Sequence, residues 1–469
     1  MEKQNLPNYQ NLFIGLDVQI PTLNGSKQRY INFDNAASTP PLKAVLEAVN
    51  NFSPYYSSVH RGTGFKSQLS THAYERSRQI TLQFVGANPQ THTCIFVKNT
   101  TEAINKLARR FPFTPERDIL LTTAMEHHSN DLPWRANPHA KVIHIHTTPD
   151  GHLNLEDYQS KLKEYGPQVA LVAVSGASNV TGFINPIHQM AEQAHAVGAH
   201  FAADTAQLAP HRAIDMLPLS DPRHLDYVFL SAHKMYAPFG TGALIGRRDI
   251  FSQGIPDLVG GGTVSIVTLE DVTWAEAPER DEAGSPNVIG AVAFAAALKK
   301  LGEIGMDAIA AHEAELTAYA LERLLSVDGL EIYGDTDPQN AVHHLGAIPI
   351  NLAGKSHYLV AAILGHEFGI GVRNGCFCAH PYLLDLMKVP ETEGKRLRQA
   401  VLNGDRSNTP GLVRVSFGLY NTLAEVDALV NALQKIANDH YEGEYVQDIA
   451  TGEFAPQGWQ PKLGEYFEI

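Results

Sequence analysis

The chain has 469 residues, 44% hydrophobic and 18% charged, the balance of a globular protein rather than a disordered one. Its length suits roughly two or three domains. With 36 basic against 50 acidic side chains the formal net charge is -14, which argues against non-specific binding to nucleic acid. No apolar run reaches the roughly eighteen residues of a membrane span, and Met1–Asn5 leads into no apolar signal-like segment. The three cysteines, Cys94, Cys376 and Cys378, are too few for a disulfide scaffold and suit free thiols in a reducing cytoplasm.

From about residue 90 to 250, short apolar runs alternate with helix-like stretches. Strands are expected at Cys94–Val97, Val169–Val174, His200–Ala203, Tyr227–Leu230 and Ala243–Ile245, with a helix over His188–Val197. That alternation predicts an α/β fold with a mainly parallel sheet covered on both faces. Gly290 to about Leu325 is Ala-rich with helical spacing, and a domain boundary is expected near 290–300. Leu345–Leu352, Leu359–Phe368 and Val413–Phe417 read as a smaller α/β domain, closed by a helix over Asp427–Ala437. After His440 comes a polar, aromatic and acidic tail.

Five segments carry candidate chemistry. Asn99-Thr100-Thr101-Glu102 follows a strand, and two hydroxyls with free N–H groups at a helix start make an anion site that fits a phosphate. An ordinary N-cap is the alternative. In Glu126-His127-His128-Ser129-Asn130 a histidine is placed to stack on a planar ligand or shuttle protons. A metal is not expected there, because no further ligands stand at suitable spacing. In Phe201-Ala202-Ala203-Asp204 an apolar strand ends in a carboxylate, which is either a ligand group or a helix cap. Ser231-Ala232-His233-Lys234 places a lysine just beyond another strand, where desolvation lowers its pKa and frees the amine to attack a carbonyl. Asp and Lys at strand ends favour one shared cleft. They suit pyridoxal 5'-phosphate (PLP), which needs an acid beside its pyridine nitrogen. Finally, Gly371-Val372-Arg373-Asn374-Gly375-Cys376-Phe377-Cys378-Ala379-His380 sets two thiols beside an arginine. A thiol near positive charge is a better nucleophile. The alternatives are half a metal site, for which a second cysteine pair is missing, or two inert thiols.

Together these segments resemble the class V aminotransferase family, and within it the Suf-type cysteine desulfurases and selenocysteine lyases. The similarity runs from about Tyr30 to about Leu433 through ordered matches that include INFDNAAS, NTTEAIN, MEHHSNDLPW, ADTAQLAPH, FLSAHKMYAPFGTG, EAGSPN, VRNGCFCAHP and RVSFGLYNT. The resemblance implies the PLP-dependent transferase fold type I: a large domain over 30–295 with a mainly parallel seven-stranded sheet, and a small domain from 1–29 and 296–469. It also implies a homodimer with shared active sites. Lys234 matches the Schiff-base lysine, Asp204 the pyridinium partner, Gln207 the contact to the phenolic oxygen and His127 the stacking histidine. Thr100, Thr101, Ser231 and His233 match phosphate contacts, and Ser285 matches one lent by the partner subunit. Asn179, Arg373 and Arg414 match the substrate-binding set. Cys378, five residues after Arg373, matches the thiol that takes sulfur from cysteine.

The familiar Suf-type loop has one cysteine where this loop has Cys376 and Cys378, and the stretch from Pro381 to Leu412 is longer. In both respects the chain resembles the aminotransferase domain of molybdenum cofactor sulfurases. The leading expectation is a desulfurase acting on L-cysteine, with Cys378 receiving the sulfur, His127 carrying protons and a sulfur-acceptor protein as partner. A C–S or selenocysteine lyase, epimerase or transaminase of the same family is one alternative. A non-catalytic binding protein with a degenerate pocket is the other. Within the loop, Cys376 is expected to matter less than Cys378, unless it receives sulfur from Cys378 or closes a disulfide with it.

Overall fold

The computed structural model describes residues 6–469; Met1–Asn5, read above as signal-free, lie outside the described residues. A seven-stranded sheet forms the larger layer. Its strands in chain order are β1 (His92–Val97), β2 (Ile119–Thr123), β3 (Lys141–Ile145), β4 (Val169–Ser175), β5 (His200–Asp204), β6 (Tyr227–Ser231) and β7 (Gly242–Arg247). They lie side by side as β1-β7-β6-β5-β4-β2-β3. Only β7 runs against its neighbours. β4 and β6 are buried along their whole length, because helices cover both faces of the sheet. Each expected strand is present, extended by one to three residues. The expected helix is Ile187–Ala196.

The Ala-rich segment forms two helices rather than one, Val288–Ile304 and Met306–Leu324, separated at Gly305 with φ 93°. The first packs against helices Lys43–Phe52 and Phe65–Phe84, and it runs unbroken through residues 290–300. The second packs against a four-stranded antiparallel sheet made of β8 (Leu330–Ile332), β9 (Ala347–Leu352), β10 (Arg373–Gly375) and β11 (Leu412–Ser416), in the order β8-β9-β11-β10. Helices His357–Phe368 and Leu423–Ala437 cover the same sheet. The long stretch after Pro381 forms helices His380–Leu386 and Glu391–Leu402.

The start of the chain is stitched to its end. Ile31–Asn32 pairs in parallel with Ile370–Gly371, and Asp34 bridges to Ser416. The tail forms a hairpin, β12 (Tyr445–Gln447) with β13 (Phe454–Pro456), anchored where Arg406 N–H donates to Ile449 O at 2.8 Å. No helix among the described residues is long and apolar enough to cross a membrane.

Gly242 opens β7 opposite Val97 and Ser231, where the sheet turns toward the helix that starts at Thr100. A Cβ there would stand 2.7 Å from Leu230 O and 2.8 Å from Asn99 Cα. Both are backbone atoms that cannot swing away. Gly242→Ala is therefore expected to cost about 1–3 kcal/mol of stability, read as a lower urea midpoint.

Candidate active site

The parallel strands deliver their C-terminal ends to one edge of the large sheet, the usual place for a ligand in an open α/β sheet. The small sheet stands across from them, and a cavity of about 540 Å³ lies between. Asp204 ends β5, and the short 3-10 turn Ala232–Lys234 follows β6. Because β5 and β6 are neighbours, their terminal side chains share the cavity floor. The Lys234 amine makes no ion pair among the described residues. The surrounding walls desolvate it and lower its pKa to about 8, although Asp204 pulls the other way. Burial raises the Asp204 carboxyl, opposed by the Ala206 N–H, which donates to Oδ1 at 3.0 Å. Among the described residues no helix starts between β5 and β6, so Asp204 caps none, and its carboxylate lines the cavity.

A second wall begins at Asn99, whose side chain caps helix Thr100–Arg110 by accepting from Glu102 N–H at 3.0 Å. The N-cap is present, and it leaves room for the anion-site reading. Asn99 is the cap, and the Thr100 hydroxyl, buried with no partner among the described residues, opens on the cavity. The Thr101 hydroxyl meets Ser129 Oγ at 2.7 Å. Ser231 and His233 line the same side. An unpartnered hydroxyl at a helix start, near a desolvated amine, fits a phosphate-bearing carbonyl compound.

His127 reaches the cavity from the loop after β2. Its Nδ1 accepts from Ser129 N–H at 3.1 Å, so the ring proton sits on Nε2. Burial, with Lys234, His128 and Arg414 nearby, pushes its pKa down to about 3 and keeps the ring neutral. The loop is held by Glu126, which sequence reasoning did not single out. This buried carboxylate accepts from Thr123 Oγ1, Ser175 N, Ser175 Oγ and Asn130 Nδ2. Burial outweighs these donors and raises its pKa to about 7.

The far wall comes from the small sheet. Arg414 on β11 is 3% exposed; its Nη1 donates to Asn179 O at 2.9 Å and its Nη2 meets Asp34 Oδ1 at 3.2 Å. Burial lowers its pKa to about 10. Arg373, on β10, meets the other oxygen of Asp34 at 2.8 Å. Asp34 was also missed; it lies in the INFDNAAS match but carries no chemical signature of its own. Asn179 Nδ2 donates to Phe377 O at 2.7 Å, which holds the thiol loop in place.

That loop is a tight turn. Ala379 N–H donates to Cys376 O at 2.9 Å, and Phe377 and Cys378 take φ values of 52° and 56°. Left-handed backbone is unfavourable for such side chains and is retained where its surroundings impose it. Here His128 N–H donates to Cys378 O at 2.7 Å and the Arg414 guanidinium packs on the Phe377 ring at 4.9 Å. Cys378 is exposed to the cavity, close enough to Lys234 and Arg414 for its charge to bear on both. Gln207 also faces the cavity, with Nε2 donating to Ala36 O at 2.8 Å. Ser285 alone of the expected site residues lies elsewhere. It is exposed beside a separate depression lined by Lys98, Glu102 and Thr241.

Comparison with known proteins agrees with this architecture. The family described as aminotransferase class-V matches residues 31–429. A probable cysteine desulfurase from Halalkalibacterium halodurans is 35% identical over 437 residues, covering 92% of this chain and 98% of that protein. A cysteine desulfurase from Haloferax volcanii is 33% identical over 409 residues, covering 86% and 88%. Among solved structures, the apo cysteine desulfurase from Thermococcus onnurineus NA1 superposes with a TM-score of 0.76 at 32% identity, covering 87% of this chain and 95% of that one. A cysteine desulfurase from Escherichia coli in an S-sulfonic acid form gives 0.74 at 27% identity, covering 92% and 98%. The sequence match and the shared fold cover most of the chain, and the chain belongs to the class V aminotransferase family.

Proposed function

We propose that the protein is a PLP-dependent cysteine desulfurase, which converts L-cysteine to alanine and leaves the sulfur as a persulfide on Cys378. The observation that carries this reading is the exposed Cys378 thiol, held by its turn beside Lys234 and Arg414 in one cavity. A lyase, epimerase or transaminase needs no thiol there.

In this reading Lys234 would hold the cofactor covalently and Asp204 would offer its carboxylate to the pyridine nitrogen. Gln207 would serve the phenolic oxygen and His127 the ring face. Thr100, Thr101, Ser231 and His233 would take the phosphate. When bound, PLP supplies an electron sink for negative charge at the Cα of an amino acid. Arg414, with Asn179 and Arg373, holds the substrate carboxylate; the guanidinium's fork geometry suits that task. As a free amine Lys234 would take the Cα proton. The neutral His127 imidazole carries protons at Nε2. The Cys378 thiolate attacks the substrate sulfur. A new S–S bond forms, the substrate C–S bond breaks, and the carbon keeps the bonding pair and is protonated to the methyl of alanine.

The decisive test incubates the holoenzyme with L-cysteine and follows both the amino-acid product and the intact protein mass. Alanine should appear in step with one bound sulfur. Cys378→Ala should lose both, by at least about 10²-fold in rate, the usual scale for removing a group that touches the reacting atoms. Alanine formation that persists in this variant with no protein-bound sulfur would replace the desulfurase with a C–S lyase.

The lowered pKa of Lys234 gives a second prediction. A group with a depressed pKa is a free amine above it, so borohydride trapping of PLP by the apoprotein should rise with pH and level off above about 8, well below the ordinary lysine value of 10.5. Lys234→Ala should trap none at any pH. A midpoint near the ordinary lysine value would show that the amine is not desolvated.

We further propose a homodimer in which Ser285 serves the partner's phosphate site. Its exposed position outside its own cavity supports this, as does the nearby apolar surface of Ile255, Leu258 and Val259. Size exclusion with light scattering should give twice the chain mass, and Ser285→Ala should weaken PLP retention without splitting the dimer.

A further inference from the structure

The turn that carries Cys378 carries a second thiol with partners of its own. Cys376 Sγ lies 2.9 Å from His380 Nε2. His380 Nδ1 in turn lies 3.1 Å from His128 Nε2, with the two rings parallel at 5.0 Å. Burial pushes the Cys376 thiol pKa up, and a neutral imidazole at this distance opposes that by accepting the S–H proton, the arrangement that activates a cysteine nucleophile. Nothing in the desulfuration step uses this pair.

The two thiols also face different surroundings. Cys378 is exposed, and its side chain bears on the buried Lys234 and Arg414. Cys376 bears on Tyr358 and feels Arg406. Arg406 is exposed, and beside Tyr358 the exposed Thr451 and Glu453 of the tail hairpin form the cavity's outer rim. One residue, Phe377, separates the thiols, and the Ala379 N–H to Cys376 O bond closes the turn that holds both. Sulfur captured at Cys378 therefore stands in the same turn as a second, half-buried thiol that faces the tail hairpin.

We propose that Cys376, activated by His380, is the thiol through which sulfur leaves the enzyme: it takes the outer sulfur of the Cys378 persulfide and presents it at the cavity mouth to an external thiol. This rests on the desulfurase reading above. The Cys376 thiolate attacks the terminal sulfur of Cys378–S–SH. The S–S bond at Cys378 breaks, its electron pair returns to the Cys378 thiolate, and Cys376–S–SH forms. No net oxidation occurs, and the Cys378 thiolate is restored for the next substrate. His380 is a positioning residue that acts through the Cys376 sulfur. His128, Cys378, Tyr358 and Arg406 are the other titratable or charged groups around the pair.

The test uses the holoenzyme, L-cysteine and dithiothreitol as the external thiol. Trypsin releases Asn374–Lys388, which holds both cysteines, and fragmentation on either side of Phe377 assigns the extra sulfur. After a stoichiometric pulse of L-cysteine, the sulfur should appear on Cys378 first and on Cys376 later. In Cys376→Ser it should stay on Cys378, and release to dithiothreitol should slow on the order of ten-fold. In Cys378→Ser no sulfur should reach Cys376. Independently of turnover, His380→Ala should move the alkylation of Cys376 by iodoacetamide to higher pH, and His380→Gln should not restore it.

Sulfur that never reaches Cys376 in the wild type overturns the relay while leaving the desulfurase intact. So does sulfur that loads Cys376 in Cys378→Ser, or an alkylation profile that His380→Ala leaves unmoved. A wild type that forms no alanine from L-cysteine overturns the desulfurase reading and the relay together.

Discussion

The site depends on an amine kept out of water without an ion-pair partner. Burying a charged ammonium is costly, and proteins avoid the cost by neutralising the group. Lys234 meets this constraint with a pKa lowered to about 8. The sheet makes the environment possible. β5 and β6 are adjacent and parallel, so Asp204 and Lys234 emerge at the same edge, near enough to interact yet not locked in a salt bridge. A tight ion pair would return the amine to its charged form. The neutral His127 and the Glu126 cradle beneath it belong to the same economy of charge, since a protonated histidine beside this amine would be a second uncompensated cation.

The opposite wall solves a different problem. Arg414 is almost wholly buried and permanently charged, so it needs an anion, and Asp34 provides one while also holding Arg373. One carboxylate thereby sets two guanidinium groups toward the cavity. The Phe377 ring under Arg414 and the Asn179 bond to Phe377 O tie the thiol turn to the same assembly. The reach of Cys378 toward Lys234 is set by the docking of one sheet against the other.

Much of this was legible in the sequence where chemistry and local pattern coincide. Apolar runs ending in Asp204 or leading to Lys234 announce both a strand and its functional tip, because strand period and burial act over a few residues. Gly305 was harder to read. A single glycine in an Ala-rich run does not reveal a break, and the left-handed φ of 93° that separates the two helices appears only in the fold. Asp34 and Glu126 were invisible for another reason. A carboxylate's role lies in its partners, and those of Asp34 stand 339 and 380 residues away. His380 falls between these cases. It is close to Cys376 in sequence, but only the positive φ values of Phe377 and Cys378 fold the chain back enough for thiol and ring to meet.

The seam between the chain's two ends has a consequence for how the molecule assembles. Ile31–Asn32 finds its strand partner only in Ile370–Gly371, and Asp34 finds its cations only in β10 and β11. On the ribosome, the amino-terminal segment must wait until most of the polypeptide has been made before these bonds can close. The large sheet has a shorter delay: most of its neighbours are tens of residues apart, and the most distant pair, β1 with β7, is complete once Arg247 is made. Closing a loop of several hundred residues carries an entropic cost that grows only slowly with length, but it is met before the contacts return anything, so such pairings come late. The cavity floor that carries Asp204 and Lys234 therefore takes shape while the wall that carries Arg373 and Arg414 is still being synthesised.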